Sequence, residues 1–450
     1  MPAPQPYRAD PKILTLGEGF YDPVAPADFP AAIPRFLNRR WAVRVGLGEV
    51  DWEAHFARFE PLPDNLPQPL ALRYHGHQFR HYNSELGDGR GFLFAQLRDD
   101  KDRLLDLGTK GSGQTPWSRR GDGRLTLKGG VREVLATEML EALGVNTSKS
   151  FALFETGEEL ERGDEPSPTR SAVLTRLSHG HIRIGSFQRL AFLGDTASIT
   201  WLTRYTLANL YGEDSDNSLI LFDKICIATA DLAASYIAAG FVHGVLNSDN
   251  INVTGESFDY GPWRFAPEWD ETFTAAYFDH QGLYAFGRQP EAIQWDVAQL
   301  GNCLALIAEL AALSELLADW PARFEAALAE RLAARIGVAG DRALMTAIIK
   351  ALRSRKVGID RLFFDWRGGR VPTGEAYADP AFDDLRAQLA GRERPLTRPY
   401  WSDPAPCSML IEEVEAIWDA IAERDDWAPF EAKVAAIRRF GDAMTSDAPA

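Results

Sequence analysis

Around Gly185 the chain changes its hydrophobic period, and this change limits the folds open to it more than any other feature. Upstream, apolar residues come in short runs set off by glycines and charged turns: GFLFAQL (91–97), LLDLGTK (104–110), SFALFET (150–156) and SAVLTRL (171–177). Short apolar runs bounded in this way predict β-strands, the first two closed into a hairpin by RDDKDR. One helix interrupts them: in KGGVREVLATEMLEALG, Val131, Val134, Leu135, Met139, Ala142 and Leu143 keep helical spacing and Gly144 supplies the stop. Downstream the helix-compatible segments are long: TWLTRYTLANLYG (200–212), SLILFDKICIATADLAASYIAAG (218–240), WDVAQLGNCLALIAELAAL (295–313) and an alanine-rich run at 323–335. Strands followed by helices predict an α+β chain in two lobes, a mostly β N-lobe over 71–184 and a mostly α-helical C-lobe over 185–450. Residues 1–70, rich in proline and aromatics, read as an N-terminal extension packed on that core, with a short helix at 31–45. The closing TSDAPA reads as a frayed tail.

Charge and cysteine usage narrow the functions. A net charge of −16 repels phosphate backbones over most of the surface, so nucleic acid is not an expected partner, although a nucleotide needs only a local basic cluster. Cys226, Cys303 and Cys407 lie far apart with no C-x-x-C pair, which argues against a disulfide framework and for a reducing compartment. The opening MPAPQPYRADPK lacks the basic start and apolar run of a signal peptide, and no apolar stretch approaches the roughly 20 residues that span a bilayer. A cytoplasmic, monomeric protein away from membranes is the expectation.

Four groups of residues carry chemistry. LGDGRG places Gly87, Gly89 and Arg90 just before a strand, where backbone N–H groups and a guanidinium meet phosphate oxygens; a tight turn explains an isolated G-x-G equally well. Lys110 ends the strand LLDLGTK and Glu133 follows on the helix, the order in which phosphoryl-transfer enzymes pair a strand lysine with a helix glutamate. An unrelated surface lysine and glutamate are the plain alternative. Arg176 and Arg183, in TRLSHGHIRIGSF, present guanidinium forks suited to a polyphosphate, with solvated surface arginines as the other reading.

The fourth group is FVHGVLNSDNINV (241–253) followed by FDYG (258–261). It has the frame of a protein-kinase-like catalytic loop and metal-binding turn: His243, Val245, Asn250, then Asp259 in Asp-Tyr-Gly. Asn250 and Asp259 each offer a hard oxygen to Mg²⁺ or Mn²⁺. Kinases keep an aspartate where this chain has Val245, which accepts no proton. Either the protein is inert, or Asp249 acts as the base in an altered geometry; a turn-capping Asp249 is the structural alternative. A rival signal is His75, His77 and His81 in YHGHQFRHYNSE, a possible zinc group, although no cysteine lies nearby and the H-E-x-x-H spacing is missing.

Taken in order, GHQF, LGDGRG, LGTKGSGQTPWSRRGDGR, VREVL, the two arginines, HGVLNSDNINV and DYGPW resemble the selenoprotein O family and its bacterial homologues, over roughly residues 73–265. The resemblance implies a two-lobed protein-kinase-like fold that binds ATP in reversed orientation. It implies an enzyme that transfers AMP to Ser, Thr or Tyr hydroxyls of proteins, releases pyrophosphate and uses Mg²⁺ or Mn²⁺. It further implies that Gly87, Gly89, Arg90, Asp122 and Gly123 line ATP, and that Lys110 contacts phosphate while pairing with Glu133. Arg176 and Arg183 would grip the phosphates, Asp249 would be the base, and Asn250 and Asp259 would hold the metal, Asp259 beside the nucleotide. The family's selenocysteine or cysteine close to the C-terminus has no counterpart here, so redox control is not implied. A kinase acting on a protein or small molecule, and an ATP-binding pseudokinase that regulates a partner, stay open beside this reading.

Overall fold

In the computed structural model, which describes residues 6–163 and 165–447, the short apolar runs pair into one antiparallel sheet. The first half of the chain forms β1 (Tyr21–Pro23), β2 (Ile33–Leu37), α1 (Arg39–Arg44), α2 (Trp52–Phe56), β3 (Leu70–Leu72), β4 (Gly76–Gln78), β5 (His81–Asn83), β6 (Leu93–Arg98), β7 (Leu104–Lys110), β8 (Leu125–Thr126), α3 (Leu127–Ala142), β9 (Lys149–Leu160) and β10 (Thr169–Ser178). The second half is helical apart from two short strands: α4 (Ile184–Phe192), α5 (Thr196–Leu210), α6 (Ser218–Ala239), β11 (Phe241–Val242), β12 (Arg264–Phe265), α7 (Gln289–Leu304), α8 (Leu310–Ala318), α9 (Trp320–Ile336), α10 (Arg342–Arg353), α11 (Ile359–Asp365), α12 (Asp383–Leu389), α13 (Ile411–Arg424) and α14 (Ala428–Ser446). The sheet runs β1-β3-β6-β7-β10-β9-β2 with β8 added to β10, and β4 and β5 form a separate hairpin. A mostly-strand first half and a helical second half match the expected mixed class.

The sheet has two differently covered faces because successive side chains alternate across a strand. On one face α1 and α2 bring Trp41, Trp52 and Phe56 onto Phe94, Leu107, Phe151 and Leu177; Trp52 stacks on Phe151 at 5.1 Å. The opposite face packs on α3 and turns Lys110 and Arg176 the same way, since Gly108 lies opposite Arg176 and Lys110 opposite Leu174. The helix expected over 31–45 forms only from Arg39. Ile33–Leu37 is instead strand β2, paired with β9 as an outer strand of the sheet. Pro34 has no N–H for a helix interior but is tolerated on such a strand, and Asn38 then caps α1 by accepting the Trp41 N–H at 3.3 Å.

α3 begins where Thr126 accepts the Gly129 N–H at 3.1 Å. Its outer side is covered by α14: Arg438 grips the buried Glu138 through two hydrogen bonds of 2.7 and 2.8 Å, and Gly441 abuts Ala142. Arg438→Ala is expected to lower stability by on the order of 3 kcal/mol, because it leaves Glu138 buried without its cation; the drop is read from the urea midpoint.

In the second half α6 packs on α7, α8 and α9, and it stops at Gly240, whose left-handed φ of 67° turns the chain into β11 and the loop beyond. The continuous helix suggested over 295–313 breaks after Leu304 and resumes at Leu310, which lets α8 pack separately against α6. Of the TSDAPA end, Thr445 and Ser446 belong to α14, while 448–450, like the first five residues of the opening segment, lie outside the described residues. Among the described residues no helix is long and apolar enough to cross a membrane. All three cysteines are free thiols.

Candidate active site

Two glycine loops form one wall of a cleft of about 770 Å³. The first, after β5, carries Gly87, Asp88, Gly89 and Arg90; the second, after β7, carries Trp117 to Arg124. Trp117 is wedged against the first loop so closely that a Cβ on Gly87 would lie 2.4 Å from its ring, which is why glycine is required there. Thr115 and Ser118 donate to the Asp88 and Gly89 carbonyls, stitching the loops together. Asp122, exposed at the cleft, accepts from Arg162 at 2.8 and 3.2 Å, and Gly123 beside it is buried against Gly113. Arg90, Arg119 and Arg120 also line the cleft and make no ion pair among the described residues. A protein of net charge −16 thus concentrates cationic side chains at one cleft, the local condition for binding a polyphosphate.

At the back of the cleft four charged groups meet. Lys110 Nζ is 2.7 Å from Glu133 Oε2 and 2.7 Å from Asp259 Oδ1. Arg176 Nη1 reaches Glu133 Oε1 at 3.4 Å and the same Asp259 oxygen at 3.3 Å. Glu133 does not line the cleft; it is buried behind Lys110 and fixes the ammonium from the α3 side. Burial by itself would raise the Asp259 carboxyl, but the Lys110 ammonium and the Arg176 guanidinium outweigh it and hold Asp259 well below the usual carboxylate range.

The loop after β11 supplies the remaining groups. Arg183, at the start of α4, donates to the Asp249 carbonyl at 3.1 Å and to Asp88 Oδ1 at 3.2 Å, and lies 4.2 Å over the Tyr74 ring. Asn250 Nδ2 donates to the Val245 carbonyl at 3.1 Å, which leaves its Oδ1 to the cleft. Asp249 is buried at the cleft wall, and its Oδ1 has no hydrogen-bond partner among the described residues. Burial pushes its carboxyl up to about 6, with Arg183 pulling the other way.

The structure brings Gly87, Gly89, Arg90, Lys110, Asp122, Gly123, Arg176, Arg183, Asp249, Asn250 and Asp259 to one cleft. Reading the sequence missed Asp88, Tyr74, Trp117, Arg119, Arg120 and Arg162, of which only the Arg119–Arg120 pair stood in a visibly basic motif. It also missed what GHQF does. Gly76 packs against Asp249 so tightly that a Cβ would come within 2.9 Å of the Asp249 Cβ, and the His77 N–H donates to Ser248 Oγ at 2.7 Å. The three histidines do not converge: His75 pairs with Tyr82, His77 with Gln188, and His81 is exposed. Among the described residues no group of three or more His, Cys, Asp or Glu side chains is placed to hold a metal.

The family described as protein adenylyltransferase SelO matches residues 6–385. Among curated relatives, the protein nucleotidyltransferase YdiU of Synechocystis sp. is 40% identical, covering 94% of this chain and 96% of the relative. The YdiU proteins of Synechococcus elongatus and Gloeobacter violaceus are 38% and 40% identical, with 98% and 96% of this chain covered and 98% and 95% of the relatives.

Proposed function

The chain belongs to the SelO family of protein adenylyltransferases, and on that premise we propose that it transfers AMP from ATP to Ser, Thr or Tyr hydroxyls of proteins. The observation that carries the reading is the position of Asp249: a carboxylate buried against Gly76, with Oδ1 unpartnered among the described residues, in the wall of the cleft that Lys110, Arg176 and Asp259 also line, while Val245 stands where a kinase keeps its base. In the reaction the acceptor oxygen attacks the α-phosphorus, the bond from that phosphorus to the bridging oxygen of the β-phosphate breaks, pyrophosphate leaves, and the hydroxyl proton passes to Asp249.

Lys110, fixed by Glu133, and Arg176 place positive charge on the phosphates, as in kinase-type sites, and we read the β sheet and helical half as the two lobes of such a fold. Arg183 acts twice, through Asp88 on the glycine loop and through the Asp249 carbonyl on the base. Asn250 Oδ1 and the Asp259 carboxylate are hard oxygen donors at the cleft and suit Mg²⁺ or Mn²⁺. A divalent cation held there would supply charge neutralisation on the phosphate oxygens. The free thiols fit a cytoplasmic setting.

The Lys110–Glu133 pair serves ordinary phosphoryl transfer equally well, so isotope position decides. With ATP labelled on the α-phosphate, protein is expected to carry the label and to gain the mass of AMP. Label arriving only from the γ-phosphate would sink adenylyl transfer in favour of a kinase, and ATP binding without any transfer would favour a regulatory pseudokinase.

A further inference from the structure

The β4–β5 hairpin turns through two residues that rarely take positive φ. Its two central residues, Phe79 and Arg80, have φ of 50° and 64° between the paired Gln78 and His81, a geometry that ordinarily selects Asn-Gly. A phenylalanine and an arginine are strained there, and such strain persists only where surrounding contacts impose it. The Phe79 N–H donates to Asn247 Oδ1 at 3.0 Å, and the Tyr284 hydroxyl donates to the same oxygen at 2.7 Å. The Phe79 ring packs on Tyr284 at 5.0 Å and on Phe278 at 5.9 Å, and Phe278 meets Tyr277 at 5.2 Å. The outer end of this stack faces solvent, with Tyr277 79% and Phe278 41% exposed. Its inner end joins the cleft, because Gln78 and Asn247 both line it alongside Asp249.

We propose that Phe79, Phe278 and Tyr277 form the docking surface for the acceptor protein, receiving an apolar or aromatic side chain that flanks the hydroxyl residue presented to Asp249. The occupant follows from continuity. A hydroxyl that reaches Asp249 enters a cleft bordered by Gln78, and the residue after Gln78, Phe79, is the first ring of this stack. Two adjacent exposed aromatics bury a neighbouring apolar side chain at little conformational cost, whereas a charged neighbour would lose hydration against them. The strained turn is then explained by position: it holds the Phe79 ring against the Phe278 and Tyr284 rings while its backbone holds Asn247 beside the base. This inference rests on the proposed transfer to a protein hydroxyl at Asp249, but not on which part of ATP is moved.

The test is a positional-scanning peptide library, each peptide carrying one Ser, Thr or Tyr, incubated with Mg²⁺ and ATP labelled on either the α- or the γ-phosphate. Peptides with Phe, Tyr, Leu or Ile beside the acceptor are expected to label at least about fivefold more than those with Asp or Gly there. The Y277S/F278S double variant should flatten that profile without changing ATP affinity or thermal midpoint. I227S, which removes an exposed isoleucine of α6, should keep it. A flat wild-type profile, or an apolar preference retained in Y277S/F278S, overturns the docking surface. Label arriving only from the γ position overturns adenylyl transfer, and the neighbour preference read from that label still decides the surface.

Discussion

Asp249→Ala is expected to lower protein labelling by roughly 10²–10⁴-fold while leaving ATP binding measurable, since a positioned base contributes that range and the cationic side chains of the glycine loops stay in place. Asp249→Asn should do nearly the same with less change of shape. What marks the residue as functional is the accompanying stability change. Its Oδ1 has no hydrogen-bond partner among the described residues, and burial raises the carboxyl from 3.8 to about 6, so the folded, metal-free protein binds the proton more tightly than the unfolded chain. Stability supplied by the neutral form is present at low pH and is lost as pH rises through that window. Relative to wild type, Asp249→Asn should therefore gain stability between about pH 4 and 6 and keep an advantage on the order of 2 kcal/mol above it. Thermal melts in EDTA across that range check the sign. A variant that is both inactive and less stable at pH 7 would make Asp249 a structural residue and remove it as the base.

Lys110→Met is the second large effect. Glu133 is buried, and its remaining cation, Arg176, stands at 3.4 Å and is shared with Asp259. Removing the ammonium should cost on the order of 3 kcal/mol, because an uncompensated buried carboxylate remains. It should also lower transfer roughly 10²-fold or more, because a fixed positive charge on the phosphates is lost. The two losses are separable. In Lys110→Met/Glu133→Leu the pair is replaced by apolar groups, and buried pairs so replaced are often neutral or better for stability. The double variant is expected to recover most of the urea midpoint and none of the activity. Recovery of activity along with stability would show that the pair only holds the fold.

The Lys110–Glu133 contact could be anticipated from order along the chain, because strand then helix is a local pattern and each element announces its own period. The loop group was legible for a similar reason: Val245, Asp249, Asn250 and Asp259 are close together in the chain, and all four line the one cleft. Asp88 was not legible. A single carboxylate between two glycines shows no sign of accepting the Leu72 N–H with one oxygen and Arg183 with the other. GHQF was visible as a motif, but not as the segment that presses Gly76 onto Asp249.

By itself the sequence determined the strand and helix periods, the glycine loops and the short-range frame of the loop after β11, because each depends on side chains a few positions apart. Only the tertiary structure decided that α14 clamps α3, that Asp259 shares Lys110 with Glu133, that Ile33–Leu37 is a strand, and that a strained hairpin joins a row of exposed rings to the cleft. These contacts join residues distant in the chain. Their existence depends on which buried surfaces fit together, and that balance of packing, hydrogen bonding and desolvation leaves no periodic trace in the order of residues.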